Sequence, residues 1–205
     1  MKVLFLTKTL SDGEEVSEHI KTLAEALISE GHEAEILSFD DGESCSVHEE
    51  IGVETVSLFY EGDSLYSWAM MFNNELKRKI RRLLEREEID IIHAHDWVTV
   101  PAATAATQKY EIPMALTLHS TENERGFNDP NSEVISELEW KGSYSANKVF
   151  VNREATYRSV RSDLEVPDHK ICKINPLTQE WEKTVMDQYE KMSKQLKTEK
   201  TEAEA

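Results

Sequence analysis

Strand-length apolar bursts alternate with longer stretches of helical period along most of the chain, and that alternation constrains the fold more than any other feature. Val3 to Thr7 is the first burst. Val16, Ile20, Leu23, Ala24, Leu27 and Ile28 then recur at helical spacing and predict an amphipathic helix. Gly31 closes it, because glycine takes the left-handed cap conformation without a steric penalty. Ala34 to Phe39 and Val53 to Leu58 predict the next two strands, joined by a polar, acidic loop from Asp40 to Glu50. From Ser64 a long helix carries Trp68, Phe72, Leu76, Ile80, Leu83 and Leu84 on one side. The order continues with strand Ile89 to His93, helix Ala102 to Tyr110, strand Met114 to Leu118 and helix Ser132 to Ala146. Strand Lys148 to Val151, helix Glu154 to Leu164 and strand Ile171 to Ile174 follow. This pattern specifies an α/β fold: a doubly wound, Rossmann-like parallel sheet of about seven strands with helices on both faces. Ligands of such sheets bind beyond the carboxyl ends of the strands, near the switch in strand order. The segments Thr7 to Gly13, His93 to Trp97 and His119 to Arg125 fall there.

A chain of 205 residues buries one substantial core, so a second full domain is not expected. The expected organisation is a Rossmann-like domain over 1–176, a separate amphipathic helix over 177–196, and a disordered charged tail over 197–205. Trp181, Val185, Tyr189, Met192 and Leu196 form the stripe of that last helix.

Forty acidic against 23 basic residues give a formal net charge of -17. Nucleic acid and anionic membrane both require a basic contact face, so neither is an expected partner. The surplus marks either salt adaptation or simply a very soluble protein. No apolar run approaches the roughly 20 residues that span a bilayer, and Met1 to Thr7 is too short for a signal peptide. Cys45 and Cys172 are too few for a disulfide framework and sit in no paired metal motif. A cytoplasmic location is therefore expected.

Two segments leave strands with chemistry-bearing residues: Asp90-Ile91-Ile92-His93-Ala94-His95-Asp96-Trp97 and Ala115-Leu116-Thr117-Leu118-His119-Ser120-Thr121-Glu122. His93 and His95, two apart, share a face of a strand and with Asp96 imitate a metal site. Zinc requires three or four ligands and no third lies at a suggestive spacing, so no metal is expected. Asp96 is equally well placed as the N-cap of the next helix. There is no nucleophile elbow and no G-x-G-x-x-G.

Both segments, with the stretch Glu133 to Tyr144, resemble the N-terminal domain of glycogen synthases and related retaining glycosyltransferases of the GT-B fold. The likeness runs from Met1 to about Asn175. It implies transfer of a sugar from a nucleoside-diphosphate donor to a glycan acceptor, with the donor gripped mainly by a C-terminal domain. It also implies that His119 approaches the transferred sugar and that Asp96 shapes the sugar pocket, as the catalytic pair. A carboxylate there makes short, charge-assisted hydrogen bonds to sugar hydroxyls, and a histidine donates without carrying a fixed charge. His95, Ser120, Glu122 and Arg125 are the implied substrate-binding residues.

The chain departs from that pattern twice. The loop after the first strand normally holds adjacent glycines that let backbone N–H groups approach the donor phosphate. Here it reads Leu10-Ser11-Asp12-Gly13-Glu14-Glu15-Val16, so only Gly13 remains, flanked by three carboxylates that repel a diphosphate. The C-terminal nucleotide-sugar domain is also missing, and the chain passes from Asn175 to Pro176-Leu177-Thr178-Gln179-Glu180-Trp181-Glu182-Lys183. That helix resembles the one that ends the family's chain by packing back on the N-terminal domain; an ordinary amphipathic C-terminal helix accounts for it too. Two functions follow as expectations. One is an acceptor-side domain, cofactor-free and incomplete alone, that binds a glycan or works with a separate donor-binding chain. The other is a non-catalytic interaction or regulatory domain, which would dimerise or dock through the exposed cleft face. An independent nucleotide-binding domain is a third class, opposed by the acidic loop.

Overall fold

The computed structural model describes residues 1–43, 45–59 and 62–203. Its strands are β1 (Lys2–Leu6), β2 (Glu33–Phe39), β3 (Gly52–Val56), β4 (Ile91–His95), β5 (Met114–Leu118), β6 (Lys148–Val151) and β7 (Ile171–Lys173). Its helices are α1 (Glu15–Ser29), α2 (Leu65–Leu84), α3 (Val100–Tyr110), α4 (Glu122–Arg125), α5 (Ser132–Ser145), α6 (Glu154–Ser162) and α7 (Trp181–Ala203). The seven strands form one parallel sheet in the order β3-β2-β1-β4-β5-β6-β7. The chain direction across the sheet reverses between β1 and β4, so the crevice beyond their carboxyl ends is the natural ligand site.

The period-two alternation of strand side chains divides the core in two. Leu4, Leu6, Ile92, Ala94, Leu116 and Val149 face α2, α3, α5 and α6. Val3, Phe5, Ile91, Ala115 and Phe150 face only α1 and α7. The two sides are also capped by different devices. Ser64 starts α2 with a reciprocal capping box to Ser67, and Gly31, at φ 77°, ends α1 as its sequence position requires. Gly142 serves close approach instead: a Cβ there would meet Val100 Cγ2 at 2.6 Å, so α5 lies against α3 only because the residue is glycine.

Most element boundaries differ from expectation by one to a few residues, and those of β4 and the last helix matter for the site. β4 runs to His95 rather than stopping at His93. The last helix begins at Trp181, because Glu180 adopts φ 69° and breaks the turn over 175–178 from the helix. It also continues through residues expected to be disordered, as far as Ala203; its Lys-, Glu- and Ala-rich end has high helix propensity. Residues 204 and 205 of that expected tail lie outside the described residues.

Candidate functional site

Asp96 leaves β4 with φ 57° and ψ 169°, a region essentially reserved for glycine. What holds it there is a pair of bonds to the neighbouring strand. Its N–H donates to the Thr117 carbonyl at 2.9 Å, and its Oδ1 accepts the His119 N–H at 2.8 Å. Asp96 therefore occupies the N-cap position of the 3-10 turn Trp97–Thr99 but makes no side-chain capping bond to it, in contrast to a conventional N-cap. Burial raises the Asp96 carboxyl pKa, while His119 opposes the rise through its charge and its N–H.

Four imidazoles gather behind this aspartate. His93, His95 and Thr117 project to the α1 and α7 side by strand alternation, and α1 brings His19. Tyr189 of α7 bonds His93 Nδ1 at 2.5 Å, and Thr117 Oγ1 lies 2.8 Å from His93 Nε2. His95 Nδ1 is 3.2 Å from His119 Nε2, and Asn152 Nδ2 is 3.4 Å from His119 Nδ1. With Asn152 donating, His119 donates onward to His95, which leaves the buried His95 Nε2 without a partner among the described residues. His19 stacks on Trp181 at 4.4 Å and has no partner for either ring nitrogen among the described residues. Burial pushes the His19 pKa down to about 3, and drives those of His93 and His95 well below the usual histidine value. His19, His93 and His95 are thus held in the neutral form. No group of three or more His, Cys, Asp or Glu side chains among the described residues is arranged to hold a metal ion.

A pocket of about 310 Å³ opens in front, lined by Lys8, Thr9, Glu14, His95, Asp96 and Arg125 among others. Of the residues singled out in the sequence, the pocket therefore gathers His95, Asp96 and Arg125. His119 lies behind it, 6% exposed. Glu122 is buried in a separate network: Arg125 Nη2 donates to Glu122 Oε2 at 2.8 Å and to Glu139 Oε1 at 2.9 Å, and Ser132 donates to Glu122 Oε1 at 2.6 Å. Arg125 Nη1 reaches Ser120 Oγ at 2.7 Å, so Ser120 is tied to the same network. Burial raises the Glu139 pKa to about 7, against the lowering effects of the Glu122 N–H and Arg125.

Gly13 stands outside the pocket in its left-handed turn, at φ 78°. Two of the donors around the start of α1 are engaged by carboxylates. Gly13 N–H donates to Glu18 Oε1 at 3.1 Å and Ser17 N–H to Glu14 Oε2 at 2.7 Å. Lys21, the nearby cation, is paired with Asp12 at 2.8 Å and Glu18 at 2.7 Å, which raise its pKa.

Sequence reasoning missed His19, Glu139 and Tyr189 as site-shaping groups. Two carried a signal. His19 falls between Val16 and Leu23 on the apolar stripe of α1, and Glu139 lies one turn after buried Ile135 on α5. A polar residue on an apolar stripe announces a buried network.

The parallel sheet, its crevice at the β1–β4 reversal and the helix returning over one face define an N-terminal half-domain of the GT-B type. Comparison with known proteins agrees. The model of Glycosyltransferase Family 4 matches residues 16–176, and the chain belongs to that family. It is 27% identical over 168 residues to an uncharacterized glycosyltransferase of Methanocaldococcus jannaschii, covering 80% of this chain and 42% of that protein. It is 31% identical over 121 residues to the glycogen synthase of Mycobacterium tuberculosis, covering 51% and 29% respectively. The chain thus spans less than half the length of these curated relatives. Among solved structures, a sucrose-phosphate synthase chain from Thermosynechococcus elongatus superposes with a TM-score of 0.65 at 13% identity. That superposition covers 95% of this chain and 98% of the other. No helix among the described residues is long and apolar enough to cross a membrane.

Proposed function

We propose that this chain is the acceptor-side half of a glycogen synthase-type retaining glycosyltransferase. It holds a glycan beside Asp96 and depends on a donor-binding half, in a separate chain or domain, for the nucleoside-diphosphate sugar. The observation that carries the proposal is the acidic start of α1, where Glu18 takes the Gly13 N–H and Glu14 the Ser17 N–H, placing two carboxylates where a diphosphate would have to bind. An acceptor subsite remains beside it. Asp96 Oδ2 has no protein donor among the described residues and is free for a sugar hydroxyl, and His95 lines the same pocket. Transfer needs both substrates held together across a closed cleft, so one wall alone yields negligible turnover. A second reading, a non-catalytic interaction domain, is favoured by His119, whose ring nitrogens both have protein neighbours.

Titration by calorimetry or NMR separates these readings, using maltooligosaccharides and then UDP- and ADP-glucose. Glycan binding that is lost in Asp96→Asn and His119→Ala, with no sugar-nucleotide binding, supports the acceptor half. Sugar-nucleotide binding by this chain overturns it. Silence toward every ligand moves the assignment to the interaction domain.

A further inference from the structure

The edge that carries Asp96 continues across β1 into a hollow of about 600 Å³ whose wall is part polar, at Gly62 and Ser64, and part aromatic and aliphatic. Phe39 at the end of β2, Leu58 and Phe59 beyond β3, and Leu65 and Trp68 at the start of α2 line it. The ring of Trp68 is fixed from two sides. It stacks on Phe72 at 5.1 Å and meets Phe39 edge-on at 5.1 Å, leaving its remaining surface for the hollow. Phe59 is 94% exposed and Leu65 44% exposed. Large apolar groups grouped in water around a concavity mark a binding surface more often than an accident of packing.

Lys8 joins this hollow to the polar pocket. It lines the pocket that holds Asp96, and its ammonium lies 5.9 Å from the Trp68 ring centroid. Its carbonyl accepts the Phe39 N–H at 3.0 Å. β1 and β2 are neighbours in the sheet, about 5 Å apart. The polar pocket over β1 and β4 and the aromatic-walled hollow over β2 and β3 are therefore two compartments of one cleft.

We propose that the hollow is the second half of the acceptor site and selects an acceptor whose sugar carries an apolar aglycone. The sugar lies at Asp96 and the aglycone lies on Trp68 and Phe39; the inference rests on the acceptor-side assignment of the Asp96 pocket. The dimensions favour this occupant. The hollow falls within the range of about 300–1,000 Å³ typical of small-molecule sites, whereas a stable protein partner needs roughly 800 Å² from each side. The net charge of -17 opposes an anionic membrane surface.

The test is NMR or calorimetric titration of the full chain with methyl α-glucoside, p-nitrophenyl α-glucoside and maltotriose. The aryl glucoside is expected to bind about tenfold tighter than the methyl glucoside, the scale of one well-placed aromatic contact. Trp68→Ala and Leu65→Ser remove that gain and leave the methyl glucoside affinity unchanged, while Asp96→Asn weakens both ligands alike. Phe59→Ser, at a nearly fully exposed position, gives the same loss of gain without endangering the core. Equal affinity for the aryl and methyl glucosides in the wild type overturns the aglycone site but leaves the acceptor half standing. So does an aryl gain that survives all three hollow substitutions. A maltotriose gain equal to the aryl gain, abolished by the same substitutions, overturns it by making the hollow a sugar subsite. Failure of every ligand to bind overturns the acceptor assignment itself, and this inference with it.

Discussion

Asp96 and His119 are joined by a 2.8 Å bond from the His119 backbone N–H to Asp96 Oδ1, which fastens the end of β4 to the end of β5. The bond is made from a backbone conformation that costs an L-residue about 1–3 kcal/mol. Substitutions therefore separate strain from bonding. Asp96→Asn keeps an oxygen acceptor and should lose no more than about 1 kcal/mol. Asp96→Gly loses the acceptor but relieves the strain, and Asp96→Ala loses the acceptor while keeping the strain. The expected order of stability is Asn, then Gly, then Ala, with Ala down by about 2–3 kcal/mol. Urea midpoints measure it, and Ala equal to Gly would show that the conformation is unstrained.

His19 makes the fold sensitive to acid. Its folded pKa, about 3, lies below the unfolded value near 6.5, so the folded state binds fewer protons. Its contribution is fully present above pH 6.5 and is lost as pH falls toward 3, amounting to about 2 kcal/mol by pH 5. His19→Phe keeps a ring against Trp181 and removes a group whose two nitrogens have no partner among the described residues. The variant should match or exceed the wild type at pH 7.5 and gain about 2 kcal/mol on it at pH 5. An unchanged difference between the two pH values, read from urea curves, excludes this role for His19.

Glu139 pulls the other way. Its folded pKa, about 7, is raised above the ordinary 4.5 by burial, so its contribution is present below pH 4.5 and is lost as pH rises through 7. Relative to Glu139→Gln, the wild type should lose on the order of 3 kcal/mol between pH 4.5 and 7. The glutamine's own cost of imperfect bonding to Arg125 is independent of pH and cancels from the slope. His93 and His95 are shifted in the same direction as His19, whereas Asp96 and Glu35 are shifted in the same direction as Glu139. Parallel pH profiles of wild type and Glu139→Gln would place the proton elsewhere.

How much of this was legible depended on the range of the interaction. The strands were visible because parallel strands buried on both faces read as near-continuous apolar runs; Met114–Leu118 and Lys148–Val151 match expectation to the residue. β4 was cut short because two histidines interrupt its apolar run, although their spacing of two places both on one buried face. α4 and the turn Trp97–Thr99 are too short to show a period. Asp96 and His119 were marked by their positions at strand ends, but the pairing of their groups was not. Tyr189 reaches His93 across 96 residues of sequence, and nothing local to either residue announces that contact.

That long-range contact is itself testable. Tyr189 is fully buried, and burial raises its pKa well above the ordinary value, so it meets His93 as a neutral phenol. With the phenol donating to His93 Nδ1 at 2.5 Å, His93 Nε2 donates to Thr117 Oγ1 at 2.8 Å, and α7 is bonded through one imidazole to β5. Tyr189→Phe keeps the ring but leaves His93 Nδ1 a buried, unsatisfied acceptor, at a cost of about 1–3 kcal/mol. Tyr189→Ala adds a cavity and should cost about 3–5 kcal/mol. Hydrogen exchange distinguishes where that loss is felt. If the bond fastens α7 to the sheet, the Phe variant speeds exchange in α7 amides more than in β5 amides, because α7 lifts off before the sheet unfolds. Equal acceleration in both elements would instead make α7 an integral part of the core, inseparable from the sheet it covers.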